Sequence, residues 1–212
     1  MTKAAIITGA GTGIGRATAV ELSGLGYACL LVGRSEATLK ETRALAGRCE
    51  LFVADVSDAS AAGGIVRAAV ERFGRIDVLI NNAGYAPMVR VRDLSPEQWR
   101  KVIDTNLSAV VWLVRAAWPV FEQQKSGTIV NISSESARDP FIGLGAYGAA
   151  KAGLNLLTKA LASEGAEVNV RAHCIAPGAV ETQMLRGIVS KEDYGEDKTL
   201  PPEAIARVIG QC

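Results

Sequence analysis

The sequence has 212 residues, 49% of them hydrophobic and 21% charged, the balance of a globular chain with enough apolar material for a sizeable core. Lys and Arg total 23 against 22 Asp and Glu, which leaves no net field to recruit nucleic acid or an anionic membrane, so neither is expected as a partner. The apolar run behind Met1 is only a strand's worth, Ala4 to Ile7, too short for a secretory leader or a bilayer span, and a cytoplasmic protein is expected.

In chain order, apolar β-rich runs fall near 4–8, 28–33, 50–54, 77–81, 128–133 and 170–175, with helix-length amphipathic stretches between them. That alternation predicts a three-layer α/β architecture, a doubly wound parallel sheet covered by helices on both faces. The runs are continuously apolar, as in Leu30-Leu31-Val32 and Val78-Leu79-Ile80, which fits strands buried on both sides. No repeat or linker interrupts the pattern, so residues 1–212 read as one domain. Helix starts are signalled by Ser57-Asp58 ahead of the 59–73 stretch and by Ser95 before Pro96-Glu97.

The helical stretches 104–121 and 147–163 are apolar on more than one face, which calls for a partner subunit beyond the sheet. Segment 179–200 mixes Gly187 and Gly195 with charges and the isolated apolar residues Met184, Leu185, Ile188 and Val189, the composition of a mobile flap that could exclude water from a site. Cys29, Cys49, Cys174 and Cys212 show no C-x-x-C spacing, and the first three lie in or beside the buried strands, so reduced core thiols are expected. His173 has no ligand at metal spacing, and no metal site is expected.

Directly after the first strand comes Thr8-Gly9-Ala10-Gly11-Thr12-Gly13-Ile14-Gly15, followed by a helical run from Arg16 to Leu25. Glycines there allow a tight turn, close backbone approach to a pyrophosphate, and amides aimed at it from the positive end of a helix. The second strand ends at Gly33-Arg34-Ser35, where a dinucleotide-binding fold reads the adenosine ribose. An acidic residue there would take the free hydroxyls of NAD; Gly33 offers none and Arg34 is a cation able to clamp a ribose phosphate, so NADP is favoured. Tyr147 and Lys151, four residues apart on a helix, share one face, and the ammonium is expected to lower the phenol's pKa and make it a usable acid and base.

Taken together, Thr8-Gly9-x-x-x-Gly13-Ile14-Gly15, Asp55-Val56, Asn81-Asn82-Ala83-Gly84, Asn106, Ser133-Ser134, Tyr147-x-x-x-Lys151 and Pro177-Gly178-x-x-x-Thr182 resemble, in order and over nearly the whole chain, the classical short-chain dehydrogenase/reductase family. The resemblance implies a Rossmann fold and NAD(P)-dependent hydride transfer between a ketone or aldehyde and an alcohol, with NADP(H) preferred and NAD(H) the alternative. It implies a catalytic quartet of Asn106, Ser134, Tyr147 and Lys151. Ser134, rather than Ser133, would bond the substrate oxygen; Tyr147 would exchange its proton; Lys151 would also hold the nicotinamide ribose, and Asn106 a water leading from Lys151 to solvent.

Cofactor contacts implied in the same way are Gly9, Gly11, Thr12, Gly13, Ile14 and Gly15 at the pyrophosphate, Arg34 at the ribose, and Asp55 and Val56 at the adenine. Asn82, Ala83 and Gly84 would meet the middle of the cofactor, and Pro177, Gly178, Val180 and Thr182 the nicotinamide. The first asparagine of the Asn81-Asn82 pair would also tie neighbouring strands. Substrate-lining candidates are Tyr85, Met88, Glu135, Ser136, Arg138, Phe141, Ile142 and residues 184–189. Family members pair through the two doubly apolar helices, so a homodimer or homotetramer is implied. The pattern of the family continues past the helical stretch 202–209 into a seventh strand that this sequence lacks, and an unpaired edge on the sixth strand is expected. A non-catalytic nucleotide-binding or scaffold protein, and an inactive fragment, are the rival readings.

Overall fold

The computed structural model describes residues 2–212. Six parallel strands form one sheet in the order β3-β2-β1-β4-β5-β6. They are β1 (Ala4–Thr8), β2 (Ala28–Gly33), β3 (Cys49–Val53), β4 (Val78–Asn81), β5 (Gly127–Ile132) and β6 (Val170–Ile175). The direction of winding reverses between β1 and β4, and a crevice opens there at the carboxyl ends of the strands.

Successive strand residues feed opposite layers. Ile6, Leu30, Leu79 and Ile129 pack with α3 (Ala61–Phe73), α5 (Ala109–Gln124) and α6 (Gly145–Gly165), through residues such as Ile65, Leu113 and Leu154. Their neighbours Ile7, Leu31, Ile80 and Val130 pack with α1 (Gly13–Gly24), α2 (Glu36–Ala46) and α8 (Pro202–Gly210), through Leu22, Leu39 and Ile205. Each such fully buried aliphatic side chain is worth roughly 1.5–3 kcal/mol in transfer from water. The doubly covered sheet is the one the continuous apolar runs predict, with strand ends moved by about one residue, as is usual at element boundaries.

Ser95 caps α4 (Pro96–Ile103) through a reciprocal box: the Gln98 amide N–H donates to Ser95 Oγ at 3.2 Å and the Ser95 N–H donates to Gln98 Oε1 at 3.0 Å. The helix expected from Ser57-Asp58 starts later, at Ala61, because Asp58 Oδ1 is taken by the Ser60 N–H and hydroxyl in a local turn. Between α4 and α5 the chain makes a π turn over Asp104–Ser108. The 179–200 segment carries structure of its own: α7 (Gln183–Arg186), a 3₁₀ turn at Glu196–Lys198, and a bridge from Val180 to Leu200. Arg186 ties it together through Glu181 and through the carbonyls of Ser190 and Tyr194.

One expectation about the cysteines is corrected. Cys29 and Cys49 are buried side by side on β2 and β3, but Cys174 is exposed, because β6 is an edge strand with incomplete cover, which leaves Arg171 exposed as well. No helix among the described residues is long and apolar enough to cross a membrane.

Candidate active site

The crevice at the winding reversal is a cleft of about 1210 Å³, above the roughly 300–1,000 Å³ usual for a drug-sized ligand. Its floor is the turn after β1. Gly9 and Gly13 have φ of +63° and +51°, the left-handed region that glycine tolerates. A Cβ at Gly13 would lie 2.9 Å from Thr182 Cγ2, and one at Gly11 would collide with the Thr38 hydroxyl. Thr12, the N-cap of α1, makes no side-chain capping bond, so the first-turn amides have no side-chain cap to satisfy them. A backbone-lined, uncapped helix end fits the pyrophosphate of a dinucleotide.

Thr8 braces this floor, a role not read from the sequence. Its Oγ accepts from the Asn82 and Ala83 amides at 3.0 and 3.1 Å and donates to the Ile80 carbonyl at 3.2 Å. Asn82 Nδ2 donates to the Thr8 carbonyl at 2.9 Å, which fastens β4 to the glycine turn. Asn81 Nδ2 donates across to Asn131 Oδ1 on β5 at 2.8 Å, as expected of the first asparagine, and Asn131 Nδ2 donates on to Thr158 Oγ of α6, also at 2.8 Å. This chain reaches the helix that bears Tyr147 and Lys151; the polar Asn131 inside Val130-Asn131-Ile132 was its sequence signal.

The cleft brings together Gly9, Gly11, Thr12, Gly13 and Ile14; Arg34, Asp55 and Val56; Asn82, Ala83 and Gly84; and Pro177, Gly178, Val180 and Thr182. Ser134, Tyr147 and Lys151 line its far wall. Gly15 does not line it. Gly15 lies beneath the turn, where a Cβ would strike the Gly9 carbonyl, so its smallness serves packing. Arg138 is also outside the lining, paired with Glu135 at 3.0 Å. Arg34 faces the cleft from the end of β2, exposed and without a hydrogen bond or ion pair among the described residues.

Asn106 is buried in the π turn and its side chain does not reach the cleft. Nδ2 donates to the carbonyls of Tyr85 at 2.8 Å and Val102 at 2.9 Å, and Oδ1 accepts from the Tyr85 N–H at 3.3 Å. Both ends of the amide are bonded to backbone, which fixes the side chain in place. It shapes the helix and fixes Tyr85.

Ser133 turns away from the cleft centre, its hydroxyl toward the Lys151 carbonyl at 3.4 Å. Ser134 Oγ accepts from the Ser136 N–H at 3.1 Å, which leaves its proton to donate, and it bonds to Tyr147. The expected lowering of the Tyr147 pKa by Lys151 is overturned. Burial pushes the phenol above its ordinary value, with the Ser134 hydrogen bond only partly offsetting it. The ammonium lies 5.5 Å from the ring centroid and donates to the Ile132 carbonyl at 2.7 Å, so it is not aimed at the hydroxyl. Burial lowers Lys151 itself to about 8.

Strand order, glycine turn and cleft define a dinucleotide-binding enzyme of the doubly wound class. The family described as short chain dehydrogenase matches residues 3–193, and the chain belongs to it as an NAD(P)-dependent oxidoreductase. It is 36% identical to the acetoacetyl-CoA reductase of Paracoccus denitrificans over 99% of this chain and 89% of that protein. Among solved structures, the 3-ketoacyl-(acyl-carrier-protein) reductase from Brucella melitensis complexed with NADH superposes with a TM-score of 0.92 at 28% identity, over 98% of this chain and 88% of the other. The actinorhodin polyketide ketoreductase with NADPH gives 0.91 at 28% identity, over 99% and 89%.

Proposed function

We propose that the cleft reduces a ketone or aldehyde, or in reverse oxidises a secondary alcohol, with NADP(H) preferred over NAD(H). The observation that carries this reading is the convergence of Ser134, Tyr147 and Lys151 on one wall of a cleft whose opposite end is the glycine turn. When bound, the nicotinamide cofactor supplies or takes the hydride. The chain does the rest. Ser134 donates a hydrogen bond to the carbonyl oxygen and Tyr147 delivers its proton to the same atom. Burial raises the phenol above its ordinary value, which suits it to hold the proton that it delivers in reduction. Lys151, at about 8, is mostly cationic at neutral pH and suits a ribose hydroxyl contact and proton return to Tyr147. Asn106 acts through the π turn and Tyr85.

Cofactor preference rests on Arg34, an exposed cation at the ribose end of the cleft, where a phosphate would find a planar fork of donors. Glycines 9, 11 and 13 and the α1 amides take the pyrophosphate, Asp55 and Val56 flank the adenine, Asn82 to Gly84 the middle, and Pro177, Gly178, Val180 and Thr182 the nicotinamide; Gly15 supports the turn from below. In our reading residues 1–212 form one cytoplasmic domain with 179–200 as its substrate flap, and copies pair through α5 and α6, where Val111 and Leu156 are exposed. The relatives named as ketone reductases favour turnover over a purely binding role. The test is steady-state oxidation of NADPH and NADH against a panel of ketones and aldehydes. Turnover with NADPH well above NADH supports the reading, and no turnover with any carbonyl refutes it.

A further inference from the structure

The substrate end of the cleft has a charge pattern that the chemistry of carbonyl reduction does not require. Met88 from the loop after β4, Phe141 and Ile142 from the loop before α6, and Met184 from α7 form an apolar rim and are 54%, 62%, 74% and 41% exposed. The rim is assembled, not frayed: the Val89 N–H donates to the Gly143 carbonyl at 2.9 Å, and Met184 Cε lies 3.4 Å from where a Gly84 Cβ would stand. Exposed apolar side chains gathered at a cleft mouth mark a surface for an apolar ligand.

The anionic side chains that line this end are Glu135, Asp139 and Asp193. Glu135 is paired with Arg138 and contributes little net field. Asp193 accepts from the Ser190 hydroxyl at 2.7 Å, and the Asp139 carboxylate has no hydrogen bond or ion pair among the described residues, so neither is paired with a cation. Of the flap cations, Arg186 pairs with Glu181 and Lys191 with Glu196, while Lys198 stays outside the lining with its ammonium 5.9 Å from the Tyr194 ring centroid. Arg90 and Lys101 do not belong to the lining, and Lys101 lies over the Tyr85 ring at 4.5 Å. Lys151 is the only cation lining this end among the described residues, and it is buried at the chemical centre. The remaining cation of the cleft, Arg34, lies at the opposite end, beyond the glycine turn.

We infer that the mouth selects uncharged apolar carbonyl compounds and repels those carried on phosphate-bearing groups, with Asp139 and Asp193 as the specificity-determining residues. A free ketone slides along the apolar rim to Ser134 and Tyr147 without meeting a charge. A thioester of coenzyme A must bring several phosphates past two carboxylates with no cation in the lining of the mouth to receive them. Within about 10 Å, the screening length near 0.1 M salt, like charges still repel, and added salt weakens that repulsion.

The inference rests on the reading of the cleft as a carbonyl-reducing site, and its test separates the two. Ethyl acetoacetate and acetoacetyl-CoA offer the same reacting ketone on a neutral and an anionic carrier. With the cofactor saturating, kcat/KM is measured for both from about 30 to about 300 mM salt, roughly threefold either side of the 0.1 M at which screening acts over ~10 Å, in the wild type and in the Asp139→Asn/Asp193→Asn double variant. The expected result is that the ester is preferred, that the thioester-to-ester ratio rises with salt, and that the double variant raises that ratio about tenfold at low salt and flattens its salt dependence. A ratio that falls with salt, or one unmoved by the double variant, overturns the charge selection while turnover of either ketone leaves the site's reading standing. No turnover of either compound, or of any panel carbonyl, overturns both.

Discussion

Asn131→Leu replaces a buried amide by an apolar side chain of similar size, so its effect is chiefly the loss of hydrogen bonds. In the native protein Asn131 accepts from Asn81 Nδ2 and donates to Thr158 Oγ, each at 2.8 Å and fully buried. Asn81 Oδ1 has no partner, so the substitution leaves that whole amide unpaired, whereas Thr158 keeps its bond to the Leu154 carbonyl at 2.7 Å. An orphaned buried donor costs about 1–3 kcal/mol, and the lost Thr158 bond adds about 1. The expected total of roughly 2–4 kcal/mol is a large share of the 5–15 kcal/mol typical of a domain, and lowers Tm by roughly 5–15 °C for a chain of this size. The assay is urea unfolding at pH 7, with Asn81→Leu and the Asn81→Leu/Asn131→Leu pair alongside. Removing both partners eliminates the orphan, so the pair should be more stable than Asn131→Leu alone. A single variant within about 0.5 kcal/mol of wild type, the scatter of neutral surface changes, or a pair less stable than the single variant, would refute the buried chain as a brace for α6.

Gly15→Ala should destabilise by about 1–3 kcal/mol through overpacking against the Gly9 carbonyl and weaken cofactor binding at least about tenfold by shifting the turn, read by calorimetric titration. Arg34→Ala should lower the NADPH-to-NADH ratio of kcat/KM by about tenfold or more, the worth of a charge-assisted contact, with little effect on NADH alone. Lys151 has a folded pKa of about 8 against 10.5 for the unfolded group. Between those values the unfolded chain binds more protons, so this residue makes stability rise with pH from about 8 to 10.5, by about 3 kcal/mol in all. Lys151→Met should lose that rise, so that its advantage over wild type in urea midpoint shrinks as pH goes from 8 to 10; parallel profiles would refute it.

Much of the fold was legible because two signals agree: continuous apolar runs that can only be buried on both faces, and a glycine turn after the first of them. Where tertiary context decides, the sequence was silent. Nothing in Asp104–Ser108 marks a π turn, or shows that the buried Asn106 would bond the backbone of Tyr85 and Val102. Cys174 follows the pattern of a buried strand, yet β6 lies at the sheet edge. Spacing alone put Tyr147 beside Lys151 but could not say that the ammonium would turn to the Ile132 carbonyl and leave burial to set the phenol's pKa. Thr8, which links the glycine turn to β4, looked like the last residue of a strand.

The central claim is that the Tyr147 hydroxyl moves the proton. Tyr147→Phe keeps the ring and its packing on α6 and removes one oxygen. Single-turnover reduction of a ketone with bound NADPH should slow by about 10²–10⁴-fold, the range of a lost general acid, while the Kd for NADPH stays within about twofold. A Phe variant that turns over at the wild-type rate, with cofactor bound as before, would contradict the assignment outright.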